Sequence, residues 1–155
     1  YMIDPYSSEV LKPLYVKDEA CRKVLLEEAK EIPSTVISSA AAANAVMLGG
    51  GYFNPLSGYM DLADAIGVAE RMQIYSGLLW PTPVINLLKG DLVSEEIKSA
   101  GKITLRDPNI EGNPVIAIQS VDNIETISKE QIGIVSEQIY GTSSFEHPFF
   151  NPKIL

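Results

Sequence analysis

Residues 49–60, with the sequence GGGYFNPLSGYM, carry the strongest structural signal of the chain. Glycines at this density invite comparison with loops that bind phosphate. A Walker loop ends in Gly-Lys-Ser or Gly-Lys-Thr, so that a lysine reaches the phosphate, whereas Gly58 is followed by a tyrosine. A dinucleotide-binding loop has a third glycine where Asn54 stands, and it follows a strand, not a helix. The better interpretation is a helix stop followed by a tight turn.

The composition is typical of one acidic globular domain. The chain has 155 residues, of which 46% are apolar and 21% charged, and its formal net charge is −8. Such a chain lacks the basic face that a nucleic-acid binder needs in order to displace counterions. Cys21 has no second cysteine to pair with, and no apolar run is long enough to span a membrane. We therefore expect a cytoplasmic protein that binds neither nucleic acid nor membranes.

Upstream of the glycine-rich stretch, the pattern predicts a helix, a strand and a second helix. Asp18 is placed to cap a helix that runs to about residue 31 and stops at Pro33. Residues 34–38 predict a strand, and Ser39 is expected to cap an alanine-rich helix over residues 40–48. One side of the first helix is expected to be buried through Cys21, Val24, Leu25, Glu28 and Ile32.

Downstream, two more helices and three strands are predicted. Asp61 is expected to start a helix that reaches about residue 74, with an inner stripe formed by Leu62, Ile66, Ala69 and Met72. Apolar and β-branched runs predict strands at residues 84–88, 102–105 and 114–121. Ser128 and Gln131 fit a capping box for the last helix, which is expected to end near Gly141. This order of elements predicts an α+β fold.

Side chains that could carry chemistry are few, and each has a structural interpretation. His147 is the single histidine, and one histidine without neighbouring ligands cannot build a zinc site. Cys21 is expected to be a buried, inert thiol, while Asp61 and Asp64 are expected to stabilise a helix start. Ser99-Ala100-Gly101-Lys102 matches the Ser-x-x-Lys pattern of acyl transfer without its companion motifs. We therefore assign no catalytic, cofactor-binding or metal-binding residue in this chain.

Aromatic side chains near the glycine-rich stretch could stack on nucleic-acid bases. Base stacking in such proteins is combined with a positively charged groove, whereas Arg71 and Lys89 are the only basic residues between positions 31 and 97. We therefore expect these aromatic residues to pack in the core and in turns: Tyr52, Phe53, Tyr59 and Trp80.

Five segments of the chain, taken in order, carry a family resemblance. Residues 50–60 resemble the pattern Gly-Gly-Phe-x-Pro-Leu-x-Gly-Phe, and the other similar segments are residues 32–39, 77–84, 103–114 and 140–148. Several ordered matches are more specific than any one motif. Together they resemble the N-terminal domain of ATP sulfurylase (sulfate adenylyltransferase) over residues 4–148. The alanine-rich helix followed by Gly-Gly-Gly-Tyr-Phe is similar to the enzymes of dissimilatory sulfur metabolism.

The resemblance implies a PUA-like fold, a strand-rich pseudobarrel with flanking helices. It also implies a reaction in which sulfate attacks the α-phosphorus of ATP, giving adenylyl sulfate and pyrophosphate, with magnesium carried by the nucleotide. The family's catalytic segments, Gln-x-Arg-Asn-Pro-x-His and Gly-Arg-Asp-His, belong to a following domain and do not occur in this sequence. Residues 106–109, Arg-Asp-Pro-Asn, approach the first of them, but no histidine follows and they align with an earlier hairpin.

The prediction is therefore a PUA-like N-terminal domain at residues 1–148 and an irregular tail at residues 149–155, with the catalytic domain absent. Such a domain would support the catalytic domain of the same nucleotidyltransferase and would bind no cofactor itself, Mg-ATP belonging to the complete enzyme. A homo-oligomer is compatible with this prediction. The alternatives are a free-standing PUA-like binding module, or a subunit that docks on a separate catalytic chain.

Overall fold

The computed structural model of the chain describes residues 3–143, which contain five α-helices and three β-strands. This mixture confirms the predicted α+β class. The elements follow in the order α1 (Glu19–Glu31), β1 (Ser34–Val36), α2 (Ser39–Gly49), α3 (Leu62–Arg71), a 3₁₀ turn (Gly90–Leu92), α4 (Glu95–Ser99), β2 (Lys102–Arg106), β3 (Val115–Ser120) and α5 (Lys129–Tyr140).

The elements divide between two compact units, and each unit is built from two stretches of chain. Among the described residues, unit 1 comprises residues 3–58 and 86–122, and unit 2 comprises residues 59–85 and 123–143. Unit 1 holds the three strands with α1, α2 and α4, whereas unit 2 holds α3 and α5, which pack on each other. Buried apolar side chains form the core of unit 1 (Ala29, Ile37, Ala41, Ala42, Leu48, Ile97, Ile103, Leu105) and of unit 2 (Ala65, Val68, Ala69, Trp80, Val84, Val135).

Strand β2 is the centre of a three-stranded sheet with the order β1-β2-β3. β1 runs parallel to β2, with Ser34 opposite Thr104, and β3 runs antiparallel to β2. The pairing of β2 with β3 shifts between Leu105 and Arg106, as at a β-bulge. Thr104 is fully buried, and its hydroxyl donates to the carbonyl of Ala29 at 2.9 Å, which ties α1 to the sheet.

Four of the helix ends that local signals predict are confirmed. Asp18 and Asp61 cap α1 and α3, and each carboxylate accepts the backbone N–H three residues further on at 2.7 Å. The capping box of Ser128 and Gln131 forms in both directions, and Gly141 ends α5 with a left-handed φ of 67°. All of these signals depend on residues within one turn of the helix end.

The predicted buried stripe of α1 is wrong in its first half. Cys21 and Val24 are exposed, Leu25 and Glu28 are half-buried, and Ala29 is buried. Helical periodicity determines which residues share a face, but it does not determine how far along that face the sheet extends. The sheet meets α1 near its C-terminal end, so the expectation of a buried thiol at Cys21 is also wrong.

Helix α2 begins one residue earlier than predicted. The Oγ of Ser38, not of Ser39, accepts the N–H of Ala41 at 3.1 Å. Ser39 instead donates to the Oδ1 of Asn109 at 2.7 Å. Two adjacent serines are equivalent as capping signals, so the sequence alone does not choose between them.

Residues 84–88 form no strand, contrary to the prediction. Val84 is buried, but its carbonyl accepts the N–H of Met60 at 2.7 Å outside any ladder. Pro81 and Pro83, just upstream, have no N–H to contribute to a sheet. The apolar run therefore indicates burial and not a strand.

Helix α3 ends at Arg71, before the predicted end at about residue 74. Met72 leaves the helix with a left-handed φ of 52° and is exposed, so its place in the predicted inner stripe is wrong. Its carbonyl accepts the N–H of Trp80 at 2.8 Å, because the chain turns back there in a short hairpin. The inner face of α3 is formed by Ala65, Gly67, Val68 and Ala69, with Leu62 and Ile66 half-buried.

No helix within residues 3–143 has the length and apolar character needed to cross a bilayer. The predicted boundary at residue 148 and the predicted tail at residues 149–155 lie outside the described residues, so both stay predictions.

Candidate functional site

The glycine-rich stretch is the first candidate for a binding site, and the backbone N–H groups of residues 50–52 and 54 are already bonded within unit 1. A phosphate-binding loop instead points unoccupied N–H groups at its ligand. The helix stop and turn predicted from the sequence are the structure that forms, and the Asn54–Pro55 peptide bond in the turn is cis. The N–H groups of Gly50, Gly51, Tyr52 and Asn54 donate to the carbonyls of residues 46, 48, 47 and 51 at 2.9, 3.0, 3.0 and 3.2 Å, respectively.

Gly51 shows why this turn requires glycine. Its φ is 78°, a conformation that side chains rarely tolerate. A Cβ at this position would also stand 3.3 Å from the side chain of Leu11 and 3.3 Å from the Cα of Pro13. The glycine therefore permits both the turn and the close approach of the N-terminal segment.

The same stretch holds the N-terminal segment through hydrogen bonds. The carbonyl of Gly49 accepts the N–H groups of residues 14 and 15 at 2.9 and 3.1 Å. The side-chain amide of Asn54 donates to the carbonyl of Tyr6 at 2.9 Å and to the Oγ of Ser8 at 2.7 Å. The most distinctive motif of the sequence thus performs a structural task, which is to hold the N-terminal segment.

The hairpin at residues 106–114 approaches a catalytic motif in sequence. Polar side chains in it are likewise engaged in hydrogen bonds within the fold. Arg106 donates from Nε to the Oγ of Ser34 and from Nη1 to the carbonyl of Asn113, each at 3.2 Å. The Oδ1 of Asp107 accepts the N–H of Asn109 at 2.8 Å and its side-chain amide at 3.0 Å. The arginine and the aspartate stabilise the turn and the neighbouring strand.

The Ser-x-x-Lys match does not bring its two side chains into one arrangement. The hydroxyl of Ser99 donates to the carbonyls of Glu95 and Glu96 at 2.8 and 3.2 Å. The ammonium group of Lys102 bonds the carboxylate of Glu28 at 2.7 Å. A nucleophilic serine needs a base within hydrogen-bond reach, so this pair is a chance match.

Asp64 has a role that the sequence does not reveal. Beyond its place in the first turn of α3, its Oδ1 accepts the N–H of Tyr75 at 2.6 Å. This bond fixes the hairpin that follows α3 against the start of the same helix. Sequence spacing gives no signal for it, because the donor lies beyond the helix end.

The four aromatic residues differ in their exposure. Trp80 is buried, as predicted, and burial raises the pKa of Tyr59 far above its ordinary value. Phe53 is half-buried, whereas 75% of Tyr52 is exposed, so the expectation of packing is wrong for Tyr52.

Charged groups in the described part of the chain form exposed ion pairs and no cluster that could bind a metal. The pairs are Lys30–Glu27, Arg71–Glu70, Lys98–Glu95 and Lys102–Glu28, at 2.6–3.2 Å. Within residues 3–143, no group of three or more His, Cys, Asp or Glu side chains is placed to hold an ion. His147 lies outside the described residues, so its structural or incidental role stays a prediction.

Comparison with known families assigns the class of the protein. The PUA-like domain family matches residues 3–153, and the chain belongs to that family. Its sequence is similar to the sulfate adenylyltransferases of Alcanivorax borkumensis and Allochromatium vinosum, each 46% identical over 147 residues. Each alignment covers 95% of this chain and 36% of the relative, so the chain spans about a third of the length of these curated relatives. The resemblance inferred from the five segments is therefore confirmed.

Two further relatives extend the comparison. The sulfate adenylyltransferase of the Riftia pachyptila sulfur-oxidizing endosymbiont is 41% identical over 146 residues, covering 94% of this chain and 32% of the relative. Among solved structures, a hexameric APS kinase from Thiobacillus denitrificans is similar, with a TM-score of 0.64 and 26% identity. That likeness covers 81% of this chain and 24% of the other.

Proposed function

We propose that this chain is the N-terminal, non-catalytic domain of a sulfate adenylyltransferase of the type used in dissimilatory sulfur metabolism. The complete enzyme would transfer the adenylyl group of ATP to sulfate and release pyrophosphate. The observation that carries the proposal is 46% identity, along almost the whole chain, to two sulfate adenylyltransferases, of whose length the alignment covers only 36%. The relative from a sulfur-oxidizing endosymbiont supports the metabolic setting.

The hydrogen bonds of this chain support the assignment of substrate binding to another part of the enzyme. The transfer of an adenylyl group requires donors and cations aimed at phosphate oxygens. Here the N–H groups of residues 50–52 are bonded to carbonyls, and Arg106 is bonded to Ser34 and to the carbonyl of Asn113. We therefore assign the binding of Mg-ATP and sulfate to the rest of the enzyme, and to this domain the support of the catalytic domain.

The proposed partners are the catalytic domain of the same enzyme and further copies of the protein. The similarity to a hexameric APS kinase supports assembly into a homo-oligomer. The net charge of −8 and the pairing of lysines with carboxylates give no support to nucleic-acid binding. The proposed location is the cytoplasm.

A domain exchange tests this proposal directly. In the sulfate adenylyltransferase of Alcanivorax borkumensis, the third that aligns with this chain is replaced by residues 1–155, and pyrophosphate release is measured with ATP and sulfate. We expect activity within about tenfold of the parent, because interfaces between related domains tolerate conservative substitution away from a few central residues. The purified 155-residue chain, assayed in parallel, is expected to release no pyrophosphate.

Two results would contradict the proposal. Sulfate-dependent pyrophosphate release by the 155-residue chain alone would place the chemistry in this domain. A chimera that folds but lacks activity, beside an active parent enzyme, would show that the chain does not replace the domain it resembles. In that case salt-dependent retention of RNA would support the alternative of a free-standing PUA-like binding module.

A further inference from the structure

The outer face of helix α2 is exposed and carries no charge. Ala40, Ala43, Val46 and Met47 recur at the spacing of one helical face, and all four are exposed. The opposite face packs in unit 1 through Ala41, Ala42 and Leu48, which are buried. No Asp, Glu, Lys or Arg occurs in the helix, whose sequence is SAAAANAVMLG. A helix that is apolar all round is normally buried on every side.

The exposed apolar area continues beyond the helix. The N–H of Tyr52 donates to the carbonyl of Met47, and the ring of Tyr52 lies beside Gly50. On the other side of the helix end, Leu14 and Tyr15 are bonded to the carbonyl of Gly49, and both side chains are about half exposed. The term α2 surface denotes the exposed side chains of the helix together with those of these flanking residues: Leu14, Tyr15, Ala40, Ala43, Val46, Met47 and Tyr52.

Such a surface is unusual on a protein that stays free in water. Singly scattered apolar side chains are ordinary, but a contiguous apolar area marks an interaction site. The central part of a protein interface is depleted in charged residues and enriched in aromatic residues and methionine. The α2 surface matches that composition with Tyr15, Met47 and Tyr52 and without a charge on its helix.

We propose that the α2 surface is the contact through which this domain docks on the remainder of its own enzyme, the part of a sulfate adenylyltransferase that follows or precedes the matched third. This inference rests on the proposed function. The relatives indicate what covers this surface. The chain covers only 36% of each of them, so the larger share of the enzyme's polypeptide is available to pack on the α2 surface.

The absence of charged residues from α2 itself favours a partner in the same polypeptide over one that arrives by diffusion. The ammonium group of Lys17, 5.5 Å from the ring centroid of Tyr15, lies outside the helix. Charged rims steer separate proteins to each other and raise the rate of association. A tethered partner needs no steering, because a linker holds it at an effective concentration of about a millimolar. An uncharged helix face is suited to that arrangement.

Hydroxyl-radical footprinting tests the proposal without any substitution. Side-chain modification is measured by mass spectrometry in two proteins, the 155-residue chain alone and the Alcanivorax borkumensis chimera that carries it. We expect the modification of Met47 and Tyr52 to fall at least about fivefold in the chimera, because the centre of an interface excludes solvent. Leu26, an exposed residue of α1, is the internal control and is expected to react equally in both.

Three results would overturn the proposal. Equal modification of Met47 and Tyr52 in the two proteins would leave the α2 surface uncovered in the enzyme. A fall at Leu26 as large as at Tyr52 would show general shielding and no selective contact. Protection that develops in the 155-residue chain alone as its concentration rises would assign the surface to a second copy. The activity of the chimera is read separately, so an active chimera with an unprotected α2 surface rejects this inference and leaves the proposed function standing.

Discussion

Helices α1 and α2 both pack on the sheet of unit 1, yet their outer surfaces are opposite in character. The outer side of α1 is charged, with Lys30 bonded to Glu27 at 2.6 Å, whereas α2 has no charged residue. Each nevertheless exposes a valine, Val24 at 69% on α1 and Val46 at 60% on α2. The difference teaches that the exposure of one apolar side chain says little. The side chains around it indicate whether the surface meets water or a partner.

The largest expected effect comes from placing a charge on each of the two valines within the chimeric enzyme. Val46→Asp would put an unpaired carboxylate into the proposed contact and should weaken docking by about 3 kcal/mol, roughly a hundredfold in the equilibrium. Val24→Asp would add a charge to a surface that is already charged and should leave docking unchanged. The measurement is radical modification of Tyr52, which should rise to the level of the isolated chain only in Val46→Asp.

The same two variants in the isolated 155-residue chain provide the control for folding. Both valines are exposed there, so each substitution should change the free energy of unfolding by no more than about 0.5 kcal/mol. If Val46→Asp and Val24→Asp raised the radical modification of Tyr52 equally in the chimera, the contrast between the two helices would have no functional meaning.

A second test compares the two faces of α2 itself. Ala42 is 2% exposed, so Ala42→Leu should overpack unit 1 and lower the free energy of unfolding by about 1–3 kcal/mol. Ala43, its exposed neighbour, should accept leucine with a change of about 0.5 kcal/mol or less. Chemical denaturation followed by circular dichroism measures both. Equal losses would mean that α2 is packed on both faces in the isolated chain.

The start of α2 offers a third test. Ser38→Ala should destabilise α2 by about 1 kcal/mol, because the N–H of Ala41 loses its acceptor. Ser39→Ala removes only an exposed bond to Asn109 and should cost about 0.5 kcal/mol or less. Urea denaturation of both variants decides between the observed cap and the one that the sequence suggests, and a larger loss in Ser39→Ala would reverse the assignment.

The smallest expected effect is a dependence on pH that α1 has and the α2 cap lacks. The hydrogen bond from the N–H of Cys21 holds the pKa of Asp18 below its ordinary value of about 3.9. Its contribution is therefore complete above the unfolded-state pKa and is lost as the pH falls through the lower, folded-state pKa. Asp18→Asn keeps a capping oxygen that does not titrate.

The corresponding measurement is the difference in melting temperature between the protein and Asp18→Asn across acidic pH. The melting temperature of the parent protein should fall relative to that of Asp18→Asn as the pH is lowered. The difference in melting temperature between the parent protein and Ser38→Ala should stay constant. A parent-minus-Asp18→Asn difference that does not change with pH would show that the Asp18 cap is not formed in solution.

Local signals made part of this fold predictable. Asp18, Asp61, Ser128 and Gly141 were assigned correctly because a cap is completed within one turn of its own helix. The buried stripe of α1 is only partly predictable, because the position of the sheet along the helix depends on β2, which is distant in sequence. Residues 84–88 were assigned as a strand because an apolar run reports burial but not the presence of a partner strand.

The candidate site is likewise predictable from the sequence only in part. The sequence identified residues 49–60 as a turn and the family they belong to, but not that Asn54 and Gly49 hold the N-terminal segment. The small side chains of α2 permit close packing on either side, and the structure shows one packed face and one exposed face. Composition does not determine which side of a uniformly apolar helix meets the rest of the molecule.

The interleaving of the two units has a consequence for how the protein emerges from the ribosome. Each unit combines an earlier stretch of the chain with a later one, and β1 cannot pair with β2 until residues 102–106 have been synthesised, because Ser34 lies opposite Thr104. Synthesis therefore delivers half of unit 1, then half of unit 2, before either can close its core. Such late, long-range closure slows folding, and it leaves apolar segments in need of protection while translation continues. It also means that no single cut in the gene separates one unit from the other.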